Sequence, residues 1–261
     1  MRLPTAFVAL ALSPALLAGC KSEPKQAPPP AAVVQAAVAT PVPHVAHGAG
    51  AAPIDCPLRK HGIDPGSLKP FEETEKYIAF LERADRASWQ KPDEVVAALG
   101  LRGSETVADV GAGSGYFSFR FAKALPKGKV WAIDVDPEMV RHVHHRAAQE
   151  KVGNIEVVLA PPDDPSIPTK ADLVFVCDVL HHVSAREAWL AKAFRETRPG
   201  TRFVLVEFKE GELPEGPPER MKISRAEVVR LMQEAGFVLQ SERPELLPYQ
   251  TFLVFARPDR K

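Results

Sequence analysis

The sequence predicts an α/β fold, a mostly parallel sheet covered by helices on both faces, and three observations point to it. Short apolar runs alternate with segments of helical periodicity from Thr106 onward. The runs are continuous rather than alternating, as in strands buried on both faces. The last two, Val238 to Ser241 and Thr251 to Ala256, are joined without a helix, which suits an antiparallel hairpin at one edge because a parallel return needs a long crossover.

Taken in order, two helices are expected ahead of the sheet. Phe71 to Leu81 carries Tyr77, Ile78, Phe80 and Leu81 at helical spacing, and Pro92 to Leu99 carries Val95, Val96 and Leu99. Gly100 and Gly103 punctuate the approach to a first strand, Thr106 to Val110. The loop Gly111 to Gly115 opens a helix through about Ala124, and Pro126-Lys-Gly128 turns the chain into a second strand, Lys129 to Ile133. Helix Pro137 to Glu150, strand Ile155 to Leu159, a proline-rich loop, strand Leu173 to Cys177, helix Ala185 to Thr197 and strand Arg202 to Glu207 follow. Helix Arg225 to Ala235 precedes the closing hairpin.

A chain of 261 residues, 45% hydrophobic, can bury one sizeable core, but 26 prolines are too many for uniform folding throughout. Lysine plus arginine and aspartate plus glutamate are equal at 33 each, so nothing suggests attraction to a polyanion, and nucleic acid is not expected as a partner. At the start, Arg2 supplies positive charge and Ala6 to Ala18 an uncharged, mostly apolar stretch too short to span a bilayer. It closes on Leu17-Ala18-Gly19-Cys20, which resembles the bacterial lipobox. That resemblance implies that residues 1–19 are a lipoprotein signal peptide and that Cys20 is lipidated. The membrane is then a partner through the lipid, and the domain is held in the cell envelope outside the cytosol. Lys21 after the cysteine favours the outer membrane if the organism is Gram-negative. Residues 20–53 are rich in proline and alanine with almost no large apolar side chains, and are expected to form an extended tether. Residues 54–104 form the helical lead-in. Cys177, inside an apolar run, is expected to be buried and inert rather than joined to Cys56.

The chemistry centres on Asp109-Val-Gly-Ala-Gly-Ser-Gly115. In an open parallel sheet ligands bind outside the carboxyl ends of the strands near the switch point, where this loop must lie. Gly111, Gly113 and Gly115 let the backbone turn tightly and approach a ligand, and the helix that follows suits a carboxylate at its positive end. Asp134, at the end of the second strand, is placed to accept hydrogen bonds from ribose hydroxyls. These features fit NAD as well as S-adenosylmethionine (SAM). A dinucleotide fingerprint, however, wants a small residue at position 116, and this sequence has Tyr116.

The spacing Asp-x-Gly-x-Gly-x-Gly resembles motif I of the class I SAM-dependent methyltransferases. The resemblance continues through Val130-Trp-Ala-Ile-Asp134-Val-Asp-Pro-Glu-Met139, Ala171-Asp-Leu-Val-Phe-Val-Cys-Asp178-Val-Leu-His-His182, Arg198 to Glu207 and Glu234-Ala-Gly-Phe237. It implies a Rossmann-like three-layer sandwich over residues 105–258, with a seven-stranded sheet whose last strand is reversed. Asp109, Gly111, Gly113, Gly115 and the adjoining Tyr116 are then the methionine-end loop, and Asp134 is the ribose ligand. Asp163 or Asp164, just past the third strand, lies near adenine; prolines 161, 162 and 165 around them leave the choice open, and both also read as a turn.

Methyl transfer is an in-line displacement at a carbon activated by sulfonium, so the protein mainly aligns the reactants and excludes water. A base is needed only if the nucleophile must lose a proton. His181 or His182 is a candidate base, with Asp178 orienting cofactor or substrate, although either ring also reads as a helix cap or a packing residue. Glu207 closes the fifth strand on the same rim, and Lys209 to Arg220 reads as a substrate lid or a plain surface loop. His142 and His145 in Arg141-His-Val-His-His-Arg146 have no carboxylate or cysteine evident beside them in the sequence to complete a metal site, so the segment reads as a solvated helix face and no metal is expected. The leading expectation is a SAM-dependent methyltransferase acting on a small molecule. The alternative is a membrane-tethered module that binds SAM or a nucleoside without catalysis, and an NAD-linked oxidoreductase fits least well.

Overall fold

The structure is a computed structural model that describes residues 57–63 and 71–259, with side chains from Thr74 onward in the second stretch. The expected signal segment, Cys20, the expected tether and Cys56 lie outside the described residues. Seven strands form one sheet: β1 (Thr106–Val110), β2 (Lys129–Asp134), β3 (Ile155–Leu159), β4 (Leu173–Cys177), β5 (Arg202–Phe208), β6 (Val238–Glu242) and β7 (Gln250–Ala256). Their order is β3-β2-β1-β4-β5-β7-β6. The first five are mutually parallel, and β7 runs antiparallel to both β5 and β6. The order of the strands therefore switches from one side of β1 to the other between β3 and β4, which opens a crevice at the carboxyl ends of β1 and β4.

Burial along the strands explains the order. In β1, β4 and β5 nearly every residue is buried, whereas β3 and β6 at the two edges are mostly half-buried or exposed. Side chains on one strand point alternately to opposite faces. Phe203 and Leu205 accordingly join a core with Trp189, Leu190, Val228 and Phe237. Val204 and Val206 join the other, with Val95, Phe117, Phe121 and Phe252.

The helices are α1 (Phe71–Leu81), α2 (Arg86–Gln90), α3 (Pro92–Ala98), α4 (Ser118–Ala124), α5 (Pro137–Gln149), α6 (Arg186–Glu196) and α7 (Arg225–Ala235). Two have ends written in their sequence. The Asp136 side chain accepts from Glu138 N with Pro137 in the first turn of α5, and Ser224 accepts from Glu227 N at the start of α7, which ends on Gly236 at φ 106°. The strands match the sequence reading to within a residue, as do most helix ends. The departure that matters is α2, a five-residue helix that no apolar periodicity announced, set off from α3 by Lys91 in a left-handed conformation (φ 42°). A second departure is the face of α5 expected to be solvated. Arg141 is 6% exposed, and His142, His144 and His145 are half-buried. Burial pulls the His142 pKa down to about 4.

Candidate active site

The glycine loop leaves β1 and is pinned at once to the end of β2: Gly111 N and Ala112 N both donate to Ile133 O, at 2.8 and 3.0 Å. Gly111, Gly113 and Gly115 have φ of 76°, 54° and 83°, a region that favours glycine. Side-chain space is also closed. A Cβ on Gly111 would run into the Val179 side chain, and one on Gly115 would come within 2.8 Å of the Phe119 ring. The backbone therefore approaches the rim of β4 more closely than any side chain would allow.

Asp134 and Asp109 divide the work of holding this loop. Asp134 Oδ2 accepts from Gly113 N at 2.7 Å and Oδ1 from Asp136 N at 2.9 Å, which ties the loop to the start of α5. Burial raises its pKa, partly offset by those amide donors. Asp109 is only 3% exposed and accepts from Ser118 Oγ at 2.5 Å. Burial pushes its pKa up to about 7. Asp109 thus braces the loop from beneath, whereas Asp134 stands at its open side.

A cleft of about 480 Å³ begins at that open side. Gly111 and Asp134 form one wall, Asp163 and Asp164 beyond β3 form another, and Val179, His182 and Trp189 close it. Asp163 is exposed and paired with Lys192 Nζ at 2.8 Å. Asp164 Oδ1 accepts from Ser166 N at 2.8 Å, so the turn expected of these aspartates exists within the wall of the cleft.

The other half of the rim, at the ends of β4, β5 and β7, is knitted to itself. Asp178 has a left-handed backbone (φ 59°), and its Oδ2 and Oδ1 accept from the side-chain amides of Gln90 and Gln250 at 3.0 and 2.6 Å. Both glutamines are fully buried. Burial pushes the Asp178 pKa up to about 6, with Glu207 adding to the rise. Cys177, a free thiol beside Gln90, has its pKa raised well above the ordinary value, first by burial.

Glu207 is 1% exposed, and its oxygens accept from Val179 N, Leu180 N and, at 2.7 Å, His181 Nδ1. His181 is buried; desolvation opposes its charge, but the Glu207 carboxylate outweighs that and raises its pKa. Its ring packs at a tilt, 4.1 Å between centroids, against His182, which is exposed, lines the cleft and has its pKa lowered, chiefly by burial. The two histidines, adjacent in sequence, are thus separated in role: one is a strut and the other a free imidazole.

The lead-in helices supply what motif reading missed. Leu81 of α1 lies beside Gly113, and Tyr77 lies within electrostatic reach of Asp134 and Asp136, its pKa raised first by burial. Tyr116 is held between two guanidinium groups, Arg86 at 4.0 Å and Arg120 at 4.2 Å from its ring centroid. Trp89 packs against Phe208 and Tyr249 at centroid distances of 5.7 and 6.2 Å. Nothing in the sequence near Arg86, Trp89 or Gln90 forms a motif. Only a contact with the distant Asp178 and Gln250 reveals them.

The fold is the Rossmann-like methyltransferase fold, and residues 107–200 match the family model described as a methyltransferase domain. Among solved structures, a SAM dependent methyltransferase from Aquifex aeolicus aligns at 27% identity with a TM-score of 0.65, covering 70% of this chain and 97% of that one. Over 114 residues the chain is 31% identical to the ubiquinone/menaquinone biosynthesis C-methyltransferase of Burkholderia orbicola, covering 43% of this chain and 47% of that protein. It is 30% identical over 150 residues to the malonyl-[acyl-carrier protein] O-methyltransferase of Hahella chejuensis, covering 54% of this chain and 51% of that protein. The chain spans about half the length of these two relatives.

Proposed function

We propose that the protein is a SAM-dependent methyltransferase that holds the adenosine of SAM in the cleft beside Asp134 and methylates a small molecule presented at the rim of β4 and β5. The observation that carries this reading is Asp134 itself. Its two oxygens bind only backbone amides, at 2.7 and 2.9 Å, and it lines an open cleft, so lone pairs remain for a pair of ribose hydroxyls. The residues also fit the group sterically, because the close approach at Gly111 keeps side chains out of the crevice.

When bound, SAM supplies an electrophilic methyl group on sulfonium. The chain contributes alignment and shelter. Asp134 orients the ribose, the Asp163 and Asp164 turn borders the adenine end, and Leu81 of α1 covers the loop at Gly113, which limits water. The Glu207–His181 pair keeps the turn after β4 rigid. For an acceptor that must lose a proton, His182 is the candidate base, since its imidazole is exposed and its lowered pKa keeps it neutral near pH 7.

Calorimetry on the purified full-length chain tests this reading. SAM should bind in the micromolar range and NAD should not; absence of SAM binding at millimolar concentration would refute it. We further propose that a lipid on Cys20 anchors the protein in the cell envelope, a reading supported by Leu17-Ala18-Gly19-Cys20 and the proline-rich segment after it. Cys20→Ala should move the protein from the membrane fraction to the soluble one, and retention in membranes would contradict lipidation as the anchor. SAM is made in the cytosol, so an exported enzyme needs it supplied across the membrane.

A further inference from the structure

Resting on the SAM reading, we propose that Arg86 holds the α-carboxylate of the cofactor's amino-acid end, and that Asp178 and Gln90 are its positioning residues. The glycine loop needs such a partner. Helix α4 is only seven residues long and starts three residues after Gly115, so few aligned peptide dipoles stand behind the loop. Its Ser118 hydroxyl is already spent on Asp109.

The guanidinium of Arg86 is delivered to this end of the site from outside the matched methyltransferase region. It lies over the ring of Tyr116, the residue that follows the last glycine of the loop, at 4.0 Å from the ring centroid. Nη1 donates to Leu81 O and Nε to Gln90 Oε1. Among the described residues no acceptor takes Nη2, and the side chain is only half-buried, so one edge of the guanidinium remains for an anion. Its charge acts on both Asp109 and Asp178, opposing the rise that burial imposes on each, which locates it between the ends of β1 and β4.

The positioning chain follows from bond directions. Gln90 is on the same helix four residues along, and its amide is committed at both ends: the oxygen accepts from Arg86 and the nitrogen donates to Asp178 Oδ2. Gln250 holds the other oxygen of Asp178. Asp178, itself anchored to β5 by its amide donating to Val206 O at 2.9 Å, therefore fixes the orientation of Arg86 through one intervening side chain. A half-buried carboxylate with a left-handed backbone at the rim thus acts by placing a cation rather than by touching a ligand.

Two probes separate this from the SAM reading: S-adenosylhomocysteine, which carries the carboxylate, and 5′-methylthioadenosine, which keeps the nucleoside and thioether but lacks the amino acid. By calorimetry on the full-length chain, Arg86→Ala should weaken S-adenosylhomocysteine about 10- to 100-fold, the loss of one charged hydrogen-bonding partner, and leave methylthioadenosine within about twofold. Arg86→Lys should recover part of the affinity, and it serves as the test if the alanine variant misfolds. Asp178→Asn, which offers an amide where Gln90 or Gln250 needs an acceptor, should give a smaller loss with the same selectivity between probes. Equal losses for both probes, or none, would overturn the role of Arg86 while leaving the SAM reading intact. Failure of the unaltered protein to bind either probe would overturn both.

Discussion

The two halves of the crevice differ in how they use their carboxylates. At the ends of β1 to β3, Asp134 binds two backbone amides and faces an open cleft. At the ends of β4, β5 and β7, Asp178 and Glu207 are consumed by side-chain amides, backbone amides and His181, and the glutamines that hold Asp178 are fully buried. The first half is built from consecutive residues around one loop and keeps its acceptors for a ligand. The second is assembled from four separate segments and spends its acceptors on rigidity. Changes at Asp134 should therefore act on ligand affinity, and changes at Glu207 on stability.

The largest effect is expected at Asp134. Asp134→Ala should lower SAM affinity about 100-fold or more, since it removes the charged acceptor of two ribose hydroxyls, each hydrogen bond worth roughly 1.5–3 kcal/mol, and frees Gly113 as well. Calorimetry and thermal unfolding on the same variant check the comparison, because an affinity unchanged by the substitution would misplace the ribose site.

Next is Glu207→Gln, which leaves a buried amide NH₂ facing either the Val179 and Leu180 N–H groups or His181. A destabilisation of about 2–4 kcal/mol in urea unfolding is expected, with SAM affinity much less affected. A selective loss of affinity without destabilisation would erase the distinction between the halves.

The smallest effect lies beneath the loop. Because the Asp109 pKa is about 7 in the folded protein, against 3.8 for the ordinary group, the folded state holds a proton that the unfolded chain releases between those values. Stability should fall as pH rises from about 4 to about 7 and then level off. Asp178 at about 6 and Glu196 at about 7, both raised first by burial, add slopes of the same sign. Asp109→Asn should flatten part of this profile and raise the melting temperature at pH 8 by a few degrees, measured by scanning calorimetry.

The same division governs how much of the molecule was legible in its sequence. The sheet was readable because β1, β4 and β5 are continuous apolar runs with burial on both faces. The glycine loop and Asp134 were readable because spacing along one loop and one strand end fixes their geometry. Gln90 and Gln250 were not. They sit 160 residues apart, neither belongs to a motif, and only the packing of α2 against β7 brings them onto one carboxylate. The neighbouring histidines show the limit within a motif. Sequence alone left both His181 and His182 open as bases, and the fold gives one of them to Glu207 and leaves the other in the cleft.

A structure of the protein with S-adenosylhomocysteine bears most directly on the central claim. The account predicts both ribose hydroxyls within hydrogen-bond distance of the Asp134 carboxylate, adenine in the cleft bordered by the Asp163 and Asp164 turn, and the amino-acid end turned toward Tyr116. A ligand found elsewhere, or one bound with Asp134 still facing only Gly113 and Asp136, would contradict it.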